Sequence, residues 1–142
     1  MLPPPQNIAV DLAGTWHNEH GSELDLVVDG KRLTGRFRSG TGLAQGRVEA
    51  DVVGFASGNL VAFTANFGAH GSITSWVGHI VVEDGVPMIR ATWNMSVDLP
   101  RDDAQELWRG IWTGADTFEP GTATEKPRAP FRQPSHPIEL FP

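Results

Sequence analysis

Hydrophobic and polar residues alternate along this chain in short runs, the pattern of strands with one dry face and one wet face. On that pattern strands are expected at Leu12–Asn18, Glu23–Asp29, Arg32–Ser39, Ala44–Val53, Leu60–Phe67, Ser72–Val82, Pro87–Ser96 and Gly110–Phe118. Turn formers separate the runs: HGS, DGK, SGTG, ASGN, GAHG and EDGV. The Asp-Gly pairs in VDGKRLTG and VEDGVPMIR favour two-residue hairpin turns. Pro87 falls at a strand start, where its missing N–H costs least. Short strands at this spacing predict an all-β fold, an eight-stranded antiparallel up-and-down β-barrel, with a two-sheet sandwich as the rival arrangement. A helical pattern occurs only at RDDAQELW, Arg101–Trp108, where Asp102 and Asp103 suit a helix N-terminus.

One row breaks the alternation. Every second residue from Trp16 reads Trp16, Asn18, His20, Ser22, Leu24, Leu26 and Val28, so a face that should be apolar turns polar and then aliphatic again. The other inward rows mix in the same way. They pair Phe37 with Ser39, Phe63 with Phe67, Ser72 and Thr74 with Trp76, and Trp93 with Met95. Buried hydroxyls and amides need partners, which means a mutual network, water or a polar ligand. Apolar walls with a few convergent polar groups are the general form of a small-molecule pocket. A plain core, with Ser and Thr bonded to nearby backbone, remains the alternative.

Composition narrows the field. The 142 residues suit one domain. Three prolines stand at positions 3–5 and six from Pro120 onward, so a barrel domain is expected over residues 1–118 and a Pro-rich tail over 119–142. A net charge of -6 argues against nucleic acid or anionic membrane as partner. No apolar run has the length of a membrane-crossing helix. Residues 1–10 lack the charged and apolar regions of a secretion signal, which leaves open whether one was removed. There is no cysteine, hence neither disulfide nor thiolate metal site, and five Trp and seven Phe with no Tyr suggest large apolar walls. Catalysis finds little support. His17 and His20 lie on opposite faces of any strand, so no metal site is expected. Glu83–Asp84 and Asp102–Asp103 sit in turn-like contexts, and no nucleophile elbow, phosphate loop or zincin helix occurs. The chain is expected not to be an enzyme.

Six stretches resemble a known family in order and spacing. GTWHNEHGS, LTGRFRSGTG, FTANF, SITSWVGH, IRATWNMS and LWRGIWTGADTF, together spanning about residues 12 to 118, are similar to avidins and streptavidin. The resemblance implies a barrel that binds biotin and needs no cofactor. It assigns Asn18, Ser22 and Phe37 to the ureido oxygen, Ser39 and Asp116 to the two ureido N–H groups, and Thr74 to the sulfur. Ser72 and the backbone from Thr41 to Leu43 fall at the valerate carboxylate. Phe67, Trp76 and Trp93 form the aromatic box, with Met95 beside it. Trp108 matches the box residue that a neighbouring subunit donates, implying a homotetramer built as a dimer of dimers. Secretion or a periplasmic location also follows from the resemblance alone.

Two positions depart from the family. Phe37 replaces a tyrosine and loses its hydroxyl, which implies weaker binding, and His20 stands where streptavidin has leucine. The apolar end of the tail, Ile138 to Phe141, suggests docking on a neighbouring subunit, against the alternative of a free tail. Two other functions stay open: an interaction or inhibitor module with a degenerate pocket, and a lipocalin-like carrier of apolar ligands, which fits the polar lining less well.

Overall fold

Each alternating run becomes one strand of a closed barrel in the computed structural model, which describes residues 10–40, 48–98 and 110–123. The strands are β1 (Gly14–Asn18), β2 (Glu23–Asp29), β3 (Arg32–Arg38), β4 (Glu49–Ser57), β5 (Leu60–Phe67), β6 (Ser72–Glu83), β7 (Val86–Val97) and β8 (Ile111–Pro120). Every strand is antiparallel to its sequence neighbours. Trp16 pairs with Leu24 of β2 on one side and Pro120 of β8 on the other, which closes the sheet and rules out the sandwich.

Turn chemistry sets the hairpins. Asp84 and Gly85 both take positive φ, 51° and 78°, between the paired residues Glu83 and Val86, as a type I′ turn requires. The earlier Asp-Gly pair behaves differently. Asp29 is still in the ladder, opposite Arg32, so the loop is Gly30-Lys31 and only Gly30 has positive φ. That is the pattern of a type II′ turn.

The largest departure from the sequence expectation is β4, expected at Ala44–Val53 and found at Glu49–Ser57. Residues 41–47 lie outside the described residues. Pairing begins where Glu49 meets Arg38 and runs through Gly54 to the Ser57–Leu60 hairpin. Gly54 reads as a strand end, yet a Cβ there would stand 2.1 Å from the Ala62 carbonyl oxygen. Close approach of β5 therefore calls for a glycine inside the strand. β1 begins at Gly14 rather than Leu12, β3 stops at Arg38, and β8 continues to Pro120. The expected helix at Arg101–Trp108 and the tail beyond residue 123 lie outside the described residues. A 3-10 turn, Gly68–His70, occupies the expected GAHG turn.

Inside, Leu24, Leu33, Phe37, Ala65, Trp76, Ile89 and Phe118 are wholly buried. Trp76 stacks on Phe63 (centroids 5.0 Å apart, planes 20° apart) and lies tilted against Phe37, also at 5.0 Å. Phe118 meets Trp76 edge-on at 6.2 Å, and Phe67 meets Phe37 edge-on at 5.8 Å. Offset and edge-to-face pairs of this kind add to plain area burial. The outer face of β4–β6 is not polar: Val53, Phe55, Leu60 and Val77 are each 58 to 62 % exposed. A groove of about 720 Å³ runs over that face, lined by Phe55, Leu60, Ala62, Val77, Thr92 and Ala115 among others.

Candidate ligand-binding site

Buried polar side chains among the described residues are Asn18, Ser22, Glu23, Ser39, Ser72, Thr74 and Asp116. Glu23 is satisfied at the surface of the wall, accepting from the Ala123 N–H and lying 4.0 Å from Arg38. The other six are residues that the sequence assigns to a site.

The β1–β2 turn prepares two of them. Gly21 takes φ 76°, and its N–H bonds the Asn18 carbonyl, so the chain folds back tightly at this point. Asn18 Oδ1 then accepts from the N–H groups of His20 and Ser22, both at 3.0 Å. Two donors on that oxygen fix the orientation of the amide, and Nδ2 is left buried with no hydrogen-bond acceptor. Ser22 Oγ accepts from the Gly40 N–H at 2.9 Å, which leaves the hydroxyl proton to be donated. Both side chains thus present donors.

Acceptors come from the opposite end of the chain. Asp116 of β8 is 3 % exposed, and its Oδ2 accepts from the indole N–H of Trp76 at 2.9 Å. Its Oδ1 has no hydrogen-bond partner. Burial pushes the Asp116 carboxyl up to about 7, and the Glu19 carboxylate adds to the rise. The Trp76 N–H and, more weakly, the Asn18 amide oppose it. Glu19 itself is held by the Thr117 N–H, which contacts both carboxylate oxygens at 3.0 and 3.1 Å. On β6, the Ser72 and Thr74 hydroxyls are also buried without a partner. Four orphaned polar atoms therefore come from three strands, whereas buried polar groups in folded proteins are nearly all paired.

Apolar side chains wall these atoms in. Cross-strand register places Phe63, Trp76, Trp93 and Gly114 in one row, and Ala65, Thr74, Met95 and Trp112 in the next. Phe67 pairs with Ser72. Gly114 makes room for the Trp93 indole, because a Cβ there would lie 2.3 Å from ring atom Cζ2. Gly114→Ala is accordingly expected to displace that ring and cost about 1–3 kcal/mol of stability, read from urea unfolding. An unchanged midpoint with an unmoved Trp93 would refute this packing.

Of the sequence-derived site residues, the fold buries Asn18, Ser22, Phe37, Ser39, Phe67, Ser72, Thr74, Trp76, Trp93, Met95 and Asp116. Thr41 and Trp108 lie outside the described residues. Two residues went unassigned in the sequence. Trp112 is buried opposite Met95, and its even spacing from Asp116 on one strand was the available signal. His20 stands with its Nε2 3.6 Å from Asp116 Oδ1, a contact between distant parts of the chain that no local pattern reveals.

Comparison with known proteins gives the same architecture. The chain is similar to the solved structure of xenavidin, with TM-score 0.68 and 24% identity over 78% of this chain and 97% of that one. It is also similar to the rhizavidin–biotin complex, with TM-score 0.62 and 23% identity over 75% of this chain and 97% of that one. No curated protein sequence matches it. The Avidin family model matches residues 6–121, and the chain therefore belongs to the avidin family.

Proposed function

We propose that this barrel binds biotin without catalysis, in the space lined by the orphaned polar atoms. Their polarity is the observation that carries the reading. A cyclic urea offers one strong acceptor and two donors, and the site offers the complement. The Asn18 Nδ2 and Ser22 hydroxyl donors suit the ureido oxygen, while Asp116 Oδ1 and Ser39 suit the two N–H groups. Thr74 faces the sulfur and Ser72 the valerate carboxylate, with Phe67, Trp76, Trp93 and Met95 as walls. Trp112 extends those walls. An apolar ligand would leave Asn18 Nδ2, Asp116 Oδ1, Ser72 Oγ and Thr74 Oγ1 unpaired, at about 1–3 kcal/mol each, which disfavours a lipocalin-like carrier.

The reading extends to assembly. A second copy of the chain covers the exposed apolar face of β4–β6. Trp108 completes the pocket from a neighbouring subunit, in a homotetramer of paired dimers acting outside the cytoplasm. Thr41 contributes from the β3–β4 connection, and the apolar end of the tail, Ile138 to Phe141, docks on a neighbour.

Biotin titration followed by tryptophan fluorescence and melting temperature tests the central claim. Ligand at a thousandfold excess over Kd adds about 4 kcal/mol to the folded state, so an unmoved melting temperature at saturating biotin refutes it. Phe37→Tyr restores a donor toward the ureido oxygen. It is expected to tighten binding about 5- to 30-fold, the effect of about 1–2 kcal/mol for one added hydrogen bond in a dry site. Equal off-rates for Phe37→Tyr and wild type would place the ureido oxygen elsewhere.

A further inference from the structure

His20 sits at the edge of the site, its side chain 32% exposed, with Nε2 3.6 Å from Asp116 Oδ1 and 4.0 Å from Glu19 Oε1. Its backbone is fixed by the bond from its N–H to Asn18 Oδ1 and by the left-handed Gly21 that follows. We propose that His20 is a positioning residue for the ligand-binding carboxylate: its imidazole pairs with Asp116 Oδ1 and holds that oxygen ionised and aimed at a ligand N–H. The identity of the ligand rests on the biotin reading above; the pairing rests on the geometry alone.

Charge balance supplies the argument. Asp116 from β8 and Glu19 from the β1–β2 turn are ionisable groups that face His20. Around Asp116, β7 presents Ala91, β6 presents the Trp76 indole and β1 presents the Asn18 amide, all uncharged. Two neighbouring carboxylates, one of them buried, repel each other, and ionising the buried one opposes its desolvation. An imidazolium at ion-pair distance offsets both penalties. Histidine is the side chain able to supply that charge on acidification, when a buried carboxyl would otherwise take up a proton. A protonated Asp116 would lose the negative charge that makes Oδ1 a strong acceptor for a urea N–H.

The test compares wild type with His20→Leu and His20→Gln, neither of which can carry the charge. Carbon-13 NMR follows the Asp116 carboxyl through pH in ligand-free protein. Both variants are expected to move its titration midpoint up by about one pH unit. Biotin titrations between pH 8 and pH 5.5 form the second arm. All three proteins are expected to bind similarly at pH 8, with the variants losing about tenfold more affinity on acidification, since one pH unit of midpoint is a tenfold change. Coincident Asp116 midpoints, or variant and wild-type affinities that fall in parallel, overturn the proposal. If wild type binds no biotin at any pH, the functional reading is overturned instead, and the NMR comparison by itself decides the pair.

Discussion

Asp116→Ala lowers biotin affinity by about 13- to 160-fold at pH 8 and weakens the fold as well, an expected loss built from two terms. A hydrogen bond to a charged acceptor contributes about 1.5–3 kcal/mol, and a donor stranded in the interior costs about 1–3 kcal/mol. The first is the ligand N–H that Oδ1 would accept. The second is the Trp76 indole N–H, which bonds Oδ2 at 2.9 Å and would lose its acceptor with or without ligand, so it lowers stability and not affinity. Calorimetry or off-rate measurement reads the loss, and an alanine variant within tenfold of wild type would remove Asp116 from the site.

Asp116→Asn separates binding from folding, because it keeps an acceptor oxygen and removes the charge. Burial raises the Asp116 carboxyl from 3.8 to about 7. Between these values the folded chain holds a proton that the unfolded chain has released. Stability from this group is therefore fully present below about pH 4 and is lost as pH rises through 7. At about 1.4 kcal/mol per pH unit, the charged carboxylate costs the ligand-free fold roughly 4 kcal/mol by pH 8. The Asn variant is expected to be more stable than wild type by up to that amount at pH 8, with the difference vanishing near pH 4. Urea midpoints measured against pH check this. A wild-type barrel of constant stability from pH 4 to pH 8 would contradict it. The protein, on this account, keeps a destabilising buried charge because the ligand, not the fold, uses it.

Strand alternation by itself makes most of the site legible. Asn18, Thr74 and Trp76 occupy inward positions that period two assigns without knowledge of the neighbours. The resemblance in GADTF added Asp116, and it agrees with where the barrel buries that residue. Three things were not legible, each for a physical reason. The β4 boundaries shifted because Gly54 is a poor strand former that only the approach of β5 explains. His20 has the parity of Asn18 but lies in a turn, where alternation no longer fixes direction, and its partner Asp116 is brought near by barrel closure. Which atoms stay unsatisfied is also a tertiary fact. Asn18 is polar in any reading, yet its Oδ1 is consumed by its own turn and only Nδ2 remains for a ligand.

Trp76 is where binding and folding are hardest to separate, and its replacement by alanine is expected to harm the fold most. The side chain is wholly buried and touches Phe37, Phe63 and Phe118. Removing so large a ring costs about 3–5 kcal/mol, against a typical domain stability of about 5–15 kcal/mol. Urea unfolding of Trp76→Ala reads that loss, and a cost below about 1 kcal/mol would mean the cavity collapses freely. Trp76→Phe is more informative about the site, since it keeps a smaller aromatic wall and deletes the N–H that bonds Asp116 Oδ2. That bond opposes the burial-driven rise of the Asp116 carboxyl, so its loss pushes the carboxyl further above about 7. Biotin affinity of Trp76→Phe is therefore expected to be weak at pH 7 and to recover toward pH 9, as the carboxylate ionises and again accepts the ligand N–H. A loss of equal size at both pH values would show that Trp76 acts through its ring alone and leaves the charge of Asp116 untouched.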